Sequence, residues 1–340
     1  MRVVYLAPDS GIGGGHRVIF QQAEGLARRG LAVAIVSPAP PPDWFPLRRA
    51  RWEQAEFARS RELAAADVRV ATFWTTVGPA LRGARGPVFH LSQGYEADHS
   101  FNSPQHDAIR AAYAQPTRKL AITPFLAERL ETEGFGPVAD VGQVFDGDEF
   151  PPAAGRRFDA AAPLVLVVGP YEADVKGVPE TLEALASARG RGASFRLHRI
   201  SATPPPEEER MLGLSERHDV GLSPREMAAA YRSADLMIGP CHPEEGFGLP
   251  VLEALSSGLP LLVSDTPVHR HVARDAAAFF PTGEAHALAG AVESILRDAA
   301  RRRDLSERGP SEARRFRTED VVERLLEEFG RAAALAEESA

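Results

Sequence analysis

The chain has 340 residues, 44% hydrophobic and 25% charged, the composition of an ordinary globular protein with room for two domains, which excludes disordered and fibrous classes. A formal net charge of -8 argues against a sequence-independent grip on nucleic acid, although a local basic patch can still hold a phosphate. The single cysteine, Cys241, excludes an intramolecular disulfide; with too short an apolar run in MRVVYLAPDS for a signal peptide and no stretch approaching a membrane span, the expected location is cytoplasmic.

The N-terminal YLAPDSGIGGGHRVIFQQAEGLARRG reads as strand, glycine-rich loop and helix. Gly11, Gly13, Gly14 and Gly15 let backbone N–H groups approach a diphosphate closely; the rival reading is a flexible turn with no ligand. A dinucleotide fingerprint needs glycine where His16 stands and an acid after the second strand, which ends IVSPAP, so NAD binding is disfavoured; the P-loop pattern is absent. SPAPPPDWFP is a stiff proline connector. After it, Arg48, Arg49 and Arg51 cluster beside Trp52 and Phe57. Such a cluster can touch anionic lipid or a phosphorylated acceptor, but charge runs usually face water, and a solvated helix face with two core aromatics is the preferred reading.

Short β-branched runs alternate with helical patterns along the chain, which predicts parallel sheets covered by helices. The alternation occurs twice. RVVYLA, LAVAIVS, DVRVATF, PVFHLSQ, KLAIT and PVADVGQ form the first set; PLVLVVG, FRLHRIS, HDVGL, ADLMIG, LPLLVS and AAAFF form the second. The Pro-, Ala- and charge-rich EFPPAAGRRFDAAAP between them is the expected linker. We therefore expect two Rossmann-like doubly wound α/β domains, residues 1–155 and 156–315, facing a central cleft, with ligands outside the carboxyl ends of the strands. The last segment, 316–340, has Val321, Val322, Leu325, Leu326 and Phe329 at helical spacing and is expected to pack back on the first domain.

Lys176 follows a second-set strand and precedes a helix, where a lysine can neutralise a phosphate as a point charge. PEEGFGLPVLEALSSGLPLLVSD then places Glu245 before a Gly-Phe-Gly turn and Glu253 inside the following helix. Pro250 suits that helix's first position and Gly258 its stop. Glu253, Ser256 and Ser257 share a polar stripe at i, i+3 and i+4, which predicts that Glu253 lies on the wet side. The N–H groups from Gly246 through Phe247 and Gly248 to Leu249 make a partially positive helix start that favours a diphosphate. Glu253 lies one ligand segment further on, where an ionised acid can accept hydrogen bonds from a ribose diol; Glu245, ahead of the turn, can accept them from sugar hydroxyls. An ordinary surface glutamate and a helix-start charge are the competing readings. Cys241 and His242 have no second ligand cluster at zinc spacing, so no metal site is expected.

In this setting EGFGLPVLEALSSGLPLLVSD resembles glycosyltransferase family 4, retaining enzymes of the GT-B fold with a Glu-x7-Glu element, here Glu245 and Glu253. The likeness extends through LSPREMAAAYRSADLMIGP, TPVHRHVARDAAAFF and VGQVFDGDEF, and is strongest in the second half. It implies a catalytic set of Glu245, Lys176 and Gln93, and a donor site of Gly13, Gly14, Lys176, Arg199, Glu245, Gly246, Phe247, Gly248, Leu249 and Glu253. Members usually pair the lysine with an arginine right after the strand's glycine. Here that position is Pro170, and Arg199 at the end of the next strand is the expected substitute. A histidine common at the end of the fourth strand is replaced by Gln93; His90, three residues earlier, is as readily a core histidine. Tyr95 and Glu96 are expected on the acceptor side.

The resemblance implies a hexosyl- or deoxyhexosyltransferase that moves a sugar from a nucleoside diphosphate co-substrate to a hydroxyl on a glycan, lipid or small molecule. It implies front-face attack without a covalent sugar on the protein, with no bound metal or other cofactor. No stable membrane insertion is expected, peripheral contact being compatible with the basic cluster, and no nucleic-acid partner. Two alternatives stand beside it: a non-catalytic GT-B scaffold that binds a sugar nucleotide, which Pro170 and Gln93 motivate, and a sugar-nucleotide epimerase.

Overall fold

The computed structural model describes residues 1–338, so the last two residues of the expected 316–340 segment lie outside the described residues. The chain divides into two compact units, one of residues 1–145 together with the segment from Phe316 onward, the other of residues 146–315.

In the first unit seven strands, β1 (Arg2–Leu6), β2 (Ala32–Ser37), β3 (Arg51–Gln54), β4 (Val68–Ala71), β5 (Val88–Ser92), β6 (Arg118–Ala121) and β7 (Val138–Asp140), form one sheet in the order β3-β2-β1-β4-β5-β6-β7. Every neighbouring pair is parallel. The order reverses between β1 and β4, as in doubly wound sheets. Val4, Leu6, Ala34 and Val36 are buried against Leu63, Val77 and Ala80, as strands covered on both faces require.

The basic stretch corrects one expectation. Arg51–Gln54 is an edge strand, not part of a helix. Glu24 explains why the chain extends there: its Oε1 accepts the backbone N–H groups of Arg48, Arg49 and Ala50 and delivers the chain to β2 in extended form. Arg48, Arg49 and Arg51 are exposed. The helix Thr318–Glu338 belongs to this unit. Val321, Val322, Leu325 and Phe329 are buried, Phe329 lies 4.9 Å from the Phe89 ring, and a Cβ on Gly25 would come within 2.5 Å of Val322. Only glycine lets the Gly14–Arg28 helix approach so closely.

The second unit carries β8 (Leu164–Val168), β9 (Arg196–Ser201), β10 (Arg217–Val220), β11 (Leu236–Gly239), β12 (Leu261–Ser264) and β13 (Ala278–Phe280), ordered β10-β9-β8-β11-β12-β13. These pairs are parallel too. Val165, Val167, Leu236, Ile238 and Leu262 meet Leu182, Leu185, Leu288 and Val292 from the covering helices. Here the change of unit falls ahead of the expected 156, because residues from Asp146 are tied to the second sheet's helices. Ala153 N–H donates to Ser257 O, the Arg156 guanidinium reaches the carbonyls of Ala234 and Tyr231, and Ser256 Oγ donates to Gly147 O.

Candidate active site

Two helix starts in the second unit converge on one ion pair. Beyond β8 the chain runs through a short 3-10 turn, Asp174–Lys176, into the helix Val178–Gly190, whose N-cap is Gly177 at φ 56°. The left-handed conformation selects glycine, which brings no side chain to the first N–H groups. His242 N–H donates to Val175 O at 2.9 Å, tying this turn to the segment after β11. That segment ends in a second left-handed glycine, Gly248 at φ 79°, the N-cap of the helix Leu249–Ser256, again without a side-chain cap. Between the two starts, Lys176 Nζ lies 2.7 Å from Glu245 Oε2, with the lysine side chain 28% exposed and the glutamate 11%. A cation at two uncapped helix starts is a place where an anion can settle, and the adjoining carboxylate can accept hydroxyl hydrogen bonds.

Phe247 and Gly248 are buried, while Gly246 and Leu249 are half-buried. Under Gly248 sits His269, so close that a Cβ on the glycine would meet its Nε2 at 3.2 Å. His269 Nδ1 lies 3.1 Å from Ser264 O, a geometry that assigns the proton to Nδ1. Burial pushes its pKa down to about 4, leaving a neutral ring. Cys241, 3.5 Å from His269, is pushed up to about 12, chiefly by burial, and stays a thiol. No group of three or more His, Cys, Asp or Glu side chains able to hold a metal occurs among the described residues. A small open recess lies against the same segment, lined in part by Gly177, Glu180, His242 and Thr282.

Glu253 departs from its expected place on the wet side. It is 7% exposed and its Oε2 accepts the Tyr231 hydroxyl at 2.8 Å. Ser256 and Ser257 on the same stripe are buried as well. The reason is the segment from Asp146 to Arg156, which covers this face and which helix periodicity cannot reveal. Arg199 is the second correction. It is fully buried, donating from Nε to Glu209 at 2.7 Å, from Nη1 to Val167 O at 2.6 Å and from Nη2 to Gly169 O at 2.8 Å. Its guanidinium is spent inside the unit and does not replace the arginine missing at Pro170.

In the first unit Gly13 is the N-cap of the helix that Gly14 opens, in extended conformation and without a side-chain cap. Gln93 Nε2 donates to Gly15 O at 3.0 Å, so the end of β5 and the glycine loop are joined. Asp9 accepts the Gly11 N–H and lies 3.1 Å from His16 Nε2. Tyr95 is buried, and Glu96 is half-buried with its carboxylate already bonded to Tyr113. Tyr95 is 2% exposed, edge-on to Tyr113 with ring centroids 5.0 Å apart and under the Arg129 guanidinium. Glu96 accepts the Tyr113 hydroxyl at 2.6 Å, and burial raises its pKa. His90 is a core residue, wholly buried beside Tyr113.

The residues that sequence reading missed are Tyr231 and His269. Both lie in the stretches flanking the two acids, but nothing in their spacing shows that one meets Glu253 and the other underlies Gly248.

Residues 156–312 match the sequence model of the family described as Glycosyl transferases group 1. Over 92% of both chains, the protein is 27% identical to a phosphatidyl-myo-inositol mannosyltransferase of Mycobacterium leprae and 25% identical to that of Mycobacterium tuberculosis. Among solved structures it is similar to sucrose-phosphate synthase from Thermosynechococcus elongatus, with TM-score 0.75 and 18% identity over 98% of this chain and 99% of that one. It is similar also to Anabaena HepE in complex with UDP-glucose, with TM-score 0.75 and 15% identity over 97% and 100%.

Proposed function

We propose that this chain, which has the GT-B fold and matches the group 1 glycosyl transferases over residues 156–312, transfers a hexosyl or deoxyhexosyl group from a nucleoside diphosphate sugar to a hydroxyl acceptor, with retention at the anomeric carbon. The observation that carries this reading is the Lys176–Glu245 pair held between two glycine-opened helix starts. In this reading the diphosphate seats on the N–H groups from Gly246 to Leu249. Lys176 then neutralises the charge that grows on the departing phosphate, which is electrostatic stabilisation of the transition state. Glu245 exchanges its lysine partner for a hydroxyl of the sugar, and Glu253, already oriented by Tyr231, accepts from the ribose diol. The donor phosphate takes the acceptor's proton, so the chain supplies no side-chain base and uses no metal. The mannosyltransferase relatives favour a hexose, and HepE's complex with UDP-glucose supports a nucleotide-sugar donor.

Thermal unfolding in the presence of UDP-, GDP-, ADP- and dTDP-sugars tests the donor assignment. The true ligand at a hundred times its dissociation constant adds ~2.7 kcal/mol of stability. Glu253→Ala is expected to abolish that shift, and Glu245→Ala to reduce transfer more than affinity; an unchanged shift in Glu253→Ala removes the diol contact. Pro170 in the position of the usual arginine, with Arg199 consumed elsewhere, favours one second reading, a scaffold that binds the sugar nucleotide without transfer. Mass spectrometry separates the two: binding with neither transfer nor slow donor hydrolysis identifies the scaffold.

A further inference from the structure

β9 brings an arginine into the one place in its sheet where a charge is hardest to keep. Arg199 pairs in register with Val167 on the adjacent β8 and follows Leu197 on the same strand face, inside the hydrophobic core. Such a cation persists only with near-complete pairing. Glu209, from the short helix Glu207–Met211 that follows β9, supplies a carboxylate at 2.7 Å, and His218 Nδ1 lies 3.4 Å from the same oxygen. The guanidinium's other two arms are spent on the last turns of backbone before the candidate site. They hold Val167 O at 2.6 Å and Gly169 O at 2.8 Å.

Gly169 is the joint. Its φ of 138° is a conformation that side-chain-bearing residues rarely adopt. A Cβ there would lie 3.5 Å from Val178 Cγ2 and 3.6 Å from both Cβ and Cγ of Lys176, so the lysine stem passes beside the glycine's bare face. A line of neighbours therefore runs from Glu209 through Arg199 to the Gly169 carbonyl, and from Lys176, beside that glycine, on to Glu245.

We propose that Arg199 is a positioning residue for Lys176: clamped by Glu209, it fixes the Gly169 carbonyl and backbone against which the lysine stem is aimed at Glu245. Its meaning for catalysis rests on the donor reading given above, but the placement of Lys176 does not. A buried ion pair is often replaceable by apolar side chains of similar volume without loss of folding, so the double variant R199M/E209M removes the clamp without stranding a charge. R199K keeps the charge but cannot span Glu209 and two carbonyls at once. E209Q keeps the guanidinium's two carbonyl contacts.

The full chain has only two lysines, Lys119 and Lys176. Limited acetylation by an amine-reactive ester, read peptide by peptide in a mass spectrometer, thus reports Lys176 against Lys119, an internal reference held in the first unit by Gln115 O and Thr117. In R199M/E209M the Lys176:Lys119 labelling ratio is expected to rise about threefold or more, the scale of coupling between touching residues. E245Q, which releases the lysine directly, sets the upper level; R199K falls between, and E209Q stays near wild type. A folded R199M/E209M with an unchanged ratio overturns the proposal. A second arm measures affinity for UDP, GDP, ADP and dTDP. The clamp variant is expected to bind the preferred nucleotide about tenfold more weakly, with no further loss when combined with K176M, since effects within one contact chain do not add; full additivity overturns the proposal. If the wild-type chain binds none of UDP, GDP, ADP and dTDP, the donor reading fails and the labelling ratio decides the positioning role alone.

Discussion

Glu96 and Glu245 both follow the end of a strand in a parallel sheet, β5 in the first unit and β11 in the second, yet they are employed in opposite ways. Glu96 accepts the hydroxyl of a fully buried tyrosine, Tyr113. Glu245 faces a lysine that remains 28% exposed. A carboxylate closed on a neutral buried donor is part of the interior, because removing either partner strands the other. One balanced by a partly solvated cation can change partners when a ligand arrives. The local partner, not the position after a strand, decides whether an acid can give up its bond: Glu96 is held by a buried hydroxyl, whereas Glu245 has a partner that water already reaches.

The sharpest way to break that comparison is to remove one partner from each. Lys176→Met is expected to lower transfer about a hundredfold, as loss of a charge-assisted hydrogen bond of ~1.5–3 kcal/mol implies. Glu96→Gln, which keeps an acceptor for Tyr113, should leave transfer within about threefold. The reverse ranking in a donor-consumption assay would discard the distinction.

Acid separates the units next. Burial, with Lys119 nearby, pushes His90 down to about 3, and burial pushes His269 down to about 4. Each folded-state pKa lies below the unfolded value of about 6.5. The unfolded chain therefore binds the proton first, and stability is lost as pH falls from 6.5 toward 3 in one unit and toward 4 in the other. The slope is about 1.4 kcal/mol per pH unit for each histidine. All three tryptophans, Trp44, Trp52 and Trp74, are in the first unit, so urea unfolding followed by tryptophan fluorescence reports that unit. His90→Leu should flatten the acid limb seen by fluorescence, and His269→Leu should not.

Within the second unit, Glu253→Ala leaves the Tyr231 hydroxyl buried without its carboxylate and is expected to cost ~1–3 kcal/mol before any ligand is added. Tyr231→Phe should cost less, about 1 kcal/mol, and weaken donor affinity by loosening Glu253. Chemical denaturation of the two variants checks the order. The smallest effect is expected at the exposed guanidinium groups of the first unit: Arg48→Gln with Arg49→Gln should stay within about 0.5 kcal/mol of wild type, since Glu24 holds the backbone there and not the side chains.

Both sheets were legible because their central strands are near-continuous apolar runs bounded by turn residues, and the site's core because Glu245, two glycines and Lys176 each have a local reason for their place. Elsewhere the deciding partner lies far off in the chain. The edge strand Arg51–Gln54 has one large apolar residue, Trp52, and takes its extended form from Glu24. The stripe holding Glu253 looks solvent-facing until residues 146–156 cover it. Arg199 reads as a donor-site cation at a strand end because nothing local announces that Glu209 returns to meet it. Tyr95 reads as an acceptor contact because Tyr113 and Arg129, which enclose it, belong to later elements.

The helix Thr318–Glu338 gives this architecture an order of assembly. The second unit is one uninterrupted stretch, whereas the first is built from segments on either side of it. On the ribosome, domains fold as they emerge. The unit bearing Lys176 and Glu245 is therefore made before the helix that closes the earlier-made sheet, and Phe89 and Gly25 stay uncovered until that helix docks.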